Sequence, residues 1–251
     1  MFNLLTKNWE LKNIETVLLD KDGTFVDLHY FWGKMTELRA YEIVKRFNLK
    51  EDCVSKICKY LGFDLETYKM LEDGITALYS RSKIIEIFKE NLLELNVEVT
   101  IQELENIFDY VSEVFYKNID KYIKEIEEAV DFIKKAHSKG IKLGVVTSDS
   151  VVSTKMTLEI LNLEKYFGSI IGRESCPELK ESGTCAKMAL EELCANPDTA
   201  IMIGDTPIDY MCAKNAGIKE TILVATGQIS KQKLLEISKY SIDTLKDVKI
   251  V

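Results

Sequence analysis

The chain has 251 residues, 46% of them hydrophobic, and a formal net charge of −8 at pH 7. That length can bury one good core, or a core with a smaller second domain. The acidic balance argues against nucleic acid or an anionic membrane surface as partners, and an anionic ligand would need local positive charge from a metal ion or a few placed lysines.

At the N-terminus, Met1 to Asn13 has too short an apolar run, and too much charge around it, to read as a signal peptide. No stretch approaches the roughly 18 apolar residues of a membrane span. The first expected strand is Thr16–Leu19, which runs into Asp20-Lys21-Asp22-Gly23-Thr24. From His29 to Lys121 the pattern is helical, with no strand expected. Ile101, Leu104, Phe108, Val111 and Phe115 form one stripe, and Met35, Leu38, Tyr41, Val44 and Phe47 nearly form another. A connection of this length between neighbouring strands is far outside ordinary loop lengths. Residues 29–121 are therefore expected to be a helical domain inserted into a core made of 1–28 and 122–251.

Beyond it, strands and helices alternate. Helix Ile126–Lys139 stops at Gly140, a good residue just past a helix end, and leads into strand Ile141–Val146 and then Thr147-Ser148. Helix Ser153–Leu163, a short strand Ser169–Gly172 and helix Thr184–Cys194 follow. Strand Ala200–Ile203 runs through Gly204 into Asp205, with helix Ile208–Ala216 and strand Thr221–Val224 after it. The strands are near-continuous apolar runs, as expected when both faces are covered. This alternation predicts an α/β fold: a doubly wound, Rossmann-like, mostly parallel sheet with right-handed crossovers, carrying the all-helical insertion.

Open α/β sheets bind ligands outside the carboxyl ends of their strands. Asp20, Thr147 and Asp205 each fall at such an end, and Asp22 and Asp209 stand close by in sequence. If those strands are neighbours, the carboxylates crowd one crevice and cannot all stay ionised without a counter-charge. A hard divalent cation with oxygen ligands resolves this, and Mg²⁺ is the expected one. The same cation lets an anionic phosphate approach an anionic nucleophile.

In the order of these motifs the chain resembles the haloacid dehalogenase (HAD) superfamily, in its phosphatase branch, with phosphoglycolate phosphatase-like enzymes as the type. DxDGT at Asp20 is followed by a hydrophobic strand ending in Thr147, then a lysine, then GDxxxD at Gly204 to Asp209. The inserted helical segment sits where that family places a cap. The resemblance implies that Asp20 is a nucleophile forming an aspartyl-phosphate. It implies that Asp22 protonates the leaving alcohol and then deprotonates the attacking water. Thr147 and the backbone N–H of Ser148 would hold phosphoryl oxygens, together with a lysine. Asp205 and Asp209, with the Asp20 carboxylate and the Asp22 carbonyl, would hold Mg²⁺. The lysine expected is Lys180, by counting back from Asp205. Its context, Cys176-Pro177-Glu178-Leu179 before and Glu181-Ser182-Gly183 after, departs from the family's usual KPxP, and Lys187 is the competitor. The substrate implied is a small soluble phosphate ester in the cytoplasm. A sugar phosphomutase, a dehalogenase and a non-catalytic binding protein of the same fold are the rival readings.

The remaining features carry milder expectations. Thr147-Ser148-Asp149-Ser150 are all good N-cap residues for the helix from Val151. Lys21, between the two aspartates, is expected to point away from phosphate and is given no role. His29-Tyr30-Phe31-Trp32 is expected to pack the inserted domain rather than touch substrate. Arg81 is either an anion clamp or a structural ion pair. Six cysteines without a CxxC, beside only two histidines, read as buried free thiols of a reducing compartment rather than zinc ligands.

Overall fold

The computed structural model describes the backbone of residues 1–251 and the side chains of all but residues 77 and 78. It divides into two compact units, one of Met1–Asp27 with Glu125–Val251 and one of Leu28–Lys124. In chain order, strands β1 (Phe2–Leu5), β2 (Glu10–Ile14) and β3 (Thr16–Leu19) come first. The second unit then contributes α1 (Leu28–Arg46), α2 (Cys53–Tyr60), β4 (Phe63–Asp64), β5 (Lys69–Met70), α3 (Ile75–Leu78), α4 (Arg81–Leu92) and α5 (Ile101–Tyr116). Alternation resumes with α6 (Glu127–Ser138), β6 (Lys142–Val146), α7 (Val151–Ile160), β7 (Ser169–Ile171) and α8 (Thr184–Glu192). The chain closes with β8 (Ala200–Gly204), α9 (Pro207–Ala216), β9 (Glu220–Leu223), α10 (Lys231–Leu235) and β10 (Lys249–Ile250).

Five parallel strands in the order β7-β6-β3-β8-β9 form the main sheet. Every residue of β3 and of β8 is buried, which explains why neither alternates in sequence. Small residues let the helices lie close on the sheet: Cys185, Ala186 and Ala189 of α8 and Cys212, Ala213 and Ala216 of α9 pack with Leu18, Val146 and Met202. From β3 the chain builds outward through β6 and β7, then crosses back to β8 and β9 on the other side. The strand order therefore reverses beside β3, the place where such sheets open a crevice. Leu19 of β3 is level with Val145 of β6 and with Ile203 of β8. The residues that follow leave the sheet side by side: Asp20 from β3, Thr147 from β6 and Asp205 from β8.

Two small sheets were not expected. One is antiparallel, in the order β10-β1-β2. Its strands have two to five residues and bury only Leu4, Leu11 and Ile14, too few for a period to show. The other is the β4–β5 hairpin, which interrupts the segment read as wholly helical. Each arm is two residues long, and the turn between them holds Tyr68 at a left-handed φ of 55°. The cysteine expectation also needs correcting: no disulfide forms, but Cys194 is exposed and Cys53 half-buried, with the other four buried. Burial pushes the Cys58, Cys185 and Cys212 thiols up to about 12, so they are poor nucleophiles at neutral pH.

The helical unit is held by apolar stripes. On α5, Leu104, Ile107, Phe108, Val111 and Phe115 are buried, each contributing roughly 1.5–3 kcal/mol of apolar transfer. Its start is fixed by a capping box in which Thr100 and Glu103 satisfy each other's backbone N–H groups. Of the aromatic cluster only Phe31 lies wholly in the core, and His29, Tyr30 and Trp32 are half-buried. Phe31 is fully buried, Tyr30 donates its hydroxyl to the Lys121 carbonyl (3.2 Å) and His29 Nδ1 accepts from the Met70 N–H (3.1 Å). Arg81 pairs with Asp109 at 2.6 Å, which fits the structural ion-pair reading. Phe115 is fully buried, edge-on to Phe31 (5.0 Å) and stacked on Tyr122 (4.9 Å). Phe115→Ala should cost about 3–5 kcal/mol by leaving a cavity no neighbour can fill. Urea denaturation checks this, and a loss under about 1 kcal/mol would show that the ring is no core anchor.

Candidate active site

The loop after β3 is built by its own backbone. Asp20 is the last residue in register with β8, its N–H donating to the Ile203 carbonyl at 2.9 Å. The chain then turns, and the Lys21 carbonyl accepts from the N–H groups of Thr24, Phe25 and Val26. Gly23 sits at φ +80°, and a Cβ there, or on Gly227, would run into the Asp205 carboxylate. Thr226 ties the two loops by donating its hydroxyl to the Gly23 carbonyl at 2.6 Å.

Three carboxylates meet behind this turn. Ligand oxygens of Asp20, Asp205 and Asp209 all lie within 4.8 Å of one another, and all three residues are buried. Asp209 is the third residue of α9, where Oδ2 accepts from Thr206 N–H and Oγ1 in a capping box. Its Oδ1 lies 2.7 Å from Lys180 Nζ, so it caps the helix and faces the cluster at once. The Lys180 ammonium also contacts Asp20 Oδ1 at 2.5 Å. Lys187, by contrast, is exposed on α8. Lys180 reaches the cluster because its short 3₁₀ turn, Lys180–Ser182, docks on α9 through Asn215, which donates to the Glu181 carbonyl at 2.8 Å.

The electrostatics of the cluster are unbalanced. Burial raises the Asp20 carboxyl to about 7 despite the nearby Lys180, with Asp209 and Asp22 adding to the rise. Burial, together with Asp20 and Asp209, drives Asp205 well above the usual carboxylate range. For Lys180 burial opposes the charge, but Asp20 and Asp209 outweigh it and hold the ammonium above its ordinary value. Were all three carboxylates ionised, one ammonium would leave two negative charges unmatched, and Asp205 Oδ2 is buried without a hydrogen-bond partner. Hard oxygen donors, an orphaned carboxylate oxygen and a two-charge deficit fit a divalent oxygen-loving cation such as Mg²⁺.

The other predicted residues lie on the loops that follow β3 and β6. Thr147 is buried at the end of β6, with its N–H on the Ile171 carbonyl and its Oγ1 accepting from Asp149 N–H at 3.1 Å. Ser148 follows it and is exposed. Asp22 lies outside the carboxylate cluster, and its Oδ1 is 2.8 Å from Lys21 Nζ. Lys21, given no role from the sequence, has a defined place. Its side chain is fully buried and bridges Asp22 and Asp149, the latter at 2.9 Å. Asp149 is not the helix cap: Ser150 is, accepting from Ser153 N–H at 3.0 Å. An acid beside Thr147 and a lysine inside DxD were visible signals, but nothing in their spacing paired them. A separate groove of about 750 Å³ runs along α6 and the C-terminal strand, where Lys135, Lys139 and Lys246 alternate with Glu127 and Asp131. Its lysines are interleaved with acids, and none of its residues belongs to the buried carboxylate cluster.

An aspartate-and-lysine crevice at the switch point of a doubly wound sheet defines a class of hydrolase. Residues 17–224 match the haloacid dehalogenase-like hydrolase family, and the chain belongs to it. It is 29% identical over 211 residues to the phosphoglycolate phosphatase of Aquifex aeolicus, covering 83% of this chain and 84% of that protein. It is 24% identical over 239 residues to the pyrophosphatase PpaX of Oceanobacillus iheyensis, covering 94% and 95%. Among solved structures, a predicted phosphoglycolate phosphatase from Haemophilus somnus superposes with a TM-score of 0.72 at 15% identity, over 94% of this chain and 97% of the other. That likeness supports the HAD fold expected from the motifs.

Proposed function

We propose that this chain is a Mg²⁺-dependent phosphatase that hydrolyses a small phosphomonoester through a phosphoryl group carried on Asp20. The observation that carries the reading is the buried trio Asp20, Asp205 and Asp209 with Lys180 clamped on Asp20. The phosphatase names of its relatives support the class.

In the first half-reaction an Asp20 oxygen attacks phosphorus, and the bond from phosphorus to the ester oxygen breaks as Asp22 gives that oxygen its proton. In the second, water attacks the phosphorus and Asp22 takes a proton from it. The bond between phosphorus and Asp20 breaks, releasing inorganic phosphate and restoring the carboxylate. Thr147 Oγ1, whose lone pair is engaged by Asp149 N–H, keeps its hydroxyl proton for a phosphoryl oxygen. The Ser148 backbone N–H is the second donor. Lys180 fixes the Asp20 side chain and offsets charge on it. Asp20, Asp205, Asp209 and the Asp22 carbonyl would hold the cation, which when bound would supply the remaining charge neutralisation that dominates phosphoryl transfer. Catalysis in the α/β unit, and substrate choice in the helical unit, are part of this proposal. So is a reducing cytoplasm, which suits six cysteines without a disulfide. No helix among the described residues is long and apolar enough to cross a membrane.

Phosphate release from a panel of small phosphomonoesters, with Mg²⁺ and with excess chelator, tests the reading. Release is expected with Mg²⁺ and none with chelator. Full activity in chelator would remove the metal from the account. Transfer between sugar positions without release would replace the phosphatase by a mutase.

A further inference from the structure

The mechanism above leaves one buried ion network without a task. Lys21 has no exposed side-chain surface, and its ammonium lies 2.8 Å from Asp22 Oδ1 and 2.9 Å from Asp149 Oδ2. Asp149 is itself fixed: its other oxygen accepts from Ser150 N–H at 2.7 Å, and its N–H donates to Thr147 Oγ1 at 3.1 Å. Its carbonyl accepts from Arg173 N–H at 2.9 Å. A continuous chain of contacts thus runs from Asp22 through Lys21 and Asp149 to Thr147. It joins the loop after β3, which carries the two DxD carboxylates, to the loop after β6, which carries the phosphoryl donors.

A purely structural role is a weak explanation for this arrangement. Replacing a buried ion network with apolar groups of similar size is often neutral or stabilising, so burying three charges is a poor way to hold two loops together. What such a network does supply is a fixed direction for each charged group. Asp22 sits on a turn, with a short side chain and no fixed place in the sheet ladder beyond a single bridge to Val26. Proton transfer to a leaving oxygen demands that its carboxyl be held within hydrogen-bond reach of that oxygen.

We propose that Lys21, anchored by Asp149, is a positioning residue that holds the Asp22 carboxyl in place for proton transfer, in register with the phosphoryl-binding loop. The inference rests on the phosphatase reading. Lys21 touches neither substrate nor reacting atoms and acts through Asp22.

The test compares the wild type with Lys21→Met, Asp149→Asn, the double variant and Asp22→Asn, on an alkyl phosphate and on an activated aryl phosphate. An alkoxide leaves poorly and needs the acid, whereas a nitrophenolate leaves well without it. The expected result for Lys21→Met is a kcat loss at least about 10-fold larger on the alkyl ester than on the aryl ester. The direction matches Asp22→Asn, and KM stays within a few-fold. Asp149→Asn, which keeps the lysine but loosens its anchor, should show a smaller loss of the same kind. Lys21→Met strands the Asp149 charge, so the double variant, which removes both charges, carries the test if the single one does not fold. Equal losses on the two esters, in whichever of these variants is folded, would overturn the proposal and leave Lys21 a structural brace. So would unchanged kinetics. An inert wild type is a different failure, because it would remove the phosphatase reading itself.

Discussion

Asp20→Asn abolishes phosphate release, by on the order of 10⁴-fold or more, the scale expected when a covalent nucleophile is removed. The same substitution leaves the metal-free protein at least as stable as the wild type at pH 7. The first outcome follows from the proposed nucleophile role, the second from the burial of the carboxyl. Burial raises the Asp20 carboxyl to about 7, so its charged form is held at a cost in the absence of a cation. Asparagine has the shape of the neutral form and is spared that cost. It loses the charge on the Lys180 contact, but Asp209 still faces the ammonium at 2.7 Å. Single-turnover assays and urea denaturation in chelator read the two outcomes. Activity retained near the wild-type level would remove Asp20 as nucleophile, and a large loss of stability would show that the carboxylate is chiefly a structural partner of Lys180.

The second large effect is on stability as a function of pH. Asp20 has its folded pKa at about 7 against an ordinary value of 3.8, so the folded chain binds its proton more tightly than the unfolded chain does. The stability linked to that proton is fully present below the unfolded pKa. It is lost as pH rises from about 4 through about 7, at up to ~1.4 kcal/mol per pH unit and ~4 kcal/mol in all. Asp205 is raised by the same burial and by the same neighbours, and it adds a loss of the same sign. Chelated protein should therefore unfold at a lower urea concentration at pH 7.5 than at pH 5. Mg²⁺ should restore most of the difference at pH 7.5, because it binds the folded, deprotonated cluster. Identical pH profiles with and without Mg²⁺ would mean that the three carboxylates do not hold the ion.

The sequence was most legible where residues are buried on every side. β3, β6 and β8 read as strands because their apolar runs have no solvent face, and their ends named Asp20, Thr147 and Asp205 before any geometry was known. Lys180 was recoverable by counting back from Asp205 to where the family resemblance implies a lysine, although its flanking residues departed from the family pattern. The β10-β1-β2 sheet was not legible, since three buried side chains spread over short strands make no pattern. The β4–β5 hairpin left only two residues per arm. The pairing of Lys21 was not legible for a different reason. Its environment is set by Asp149, 128 positions away in sequence, and no local pattern encodes that distance.

The most direct test of the account is to trap the phosphoryl group. The wild type is mixed with substrate and Mg²⁺, quenched in acid within milliseconds, digested at low pH and mapped by mass spectrometry. A phosphoryl mass on the peptide containing Asp20, absent in Asp20→Asn and in chelator, is the predicted result. Rapid turnover with no phosphorylated peptide, or with the group on another residue, would contradict it.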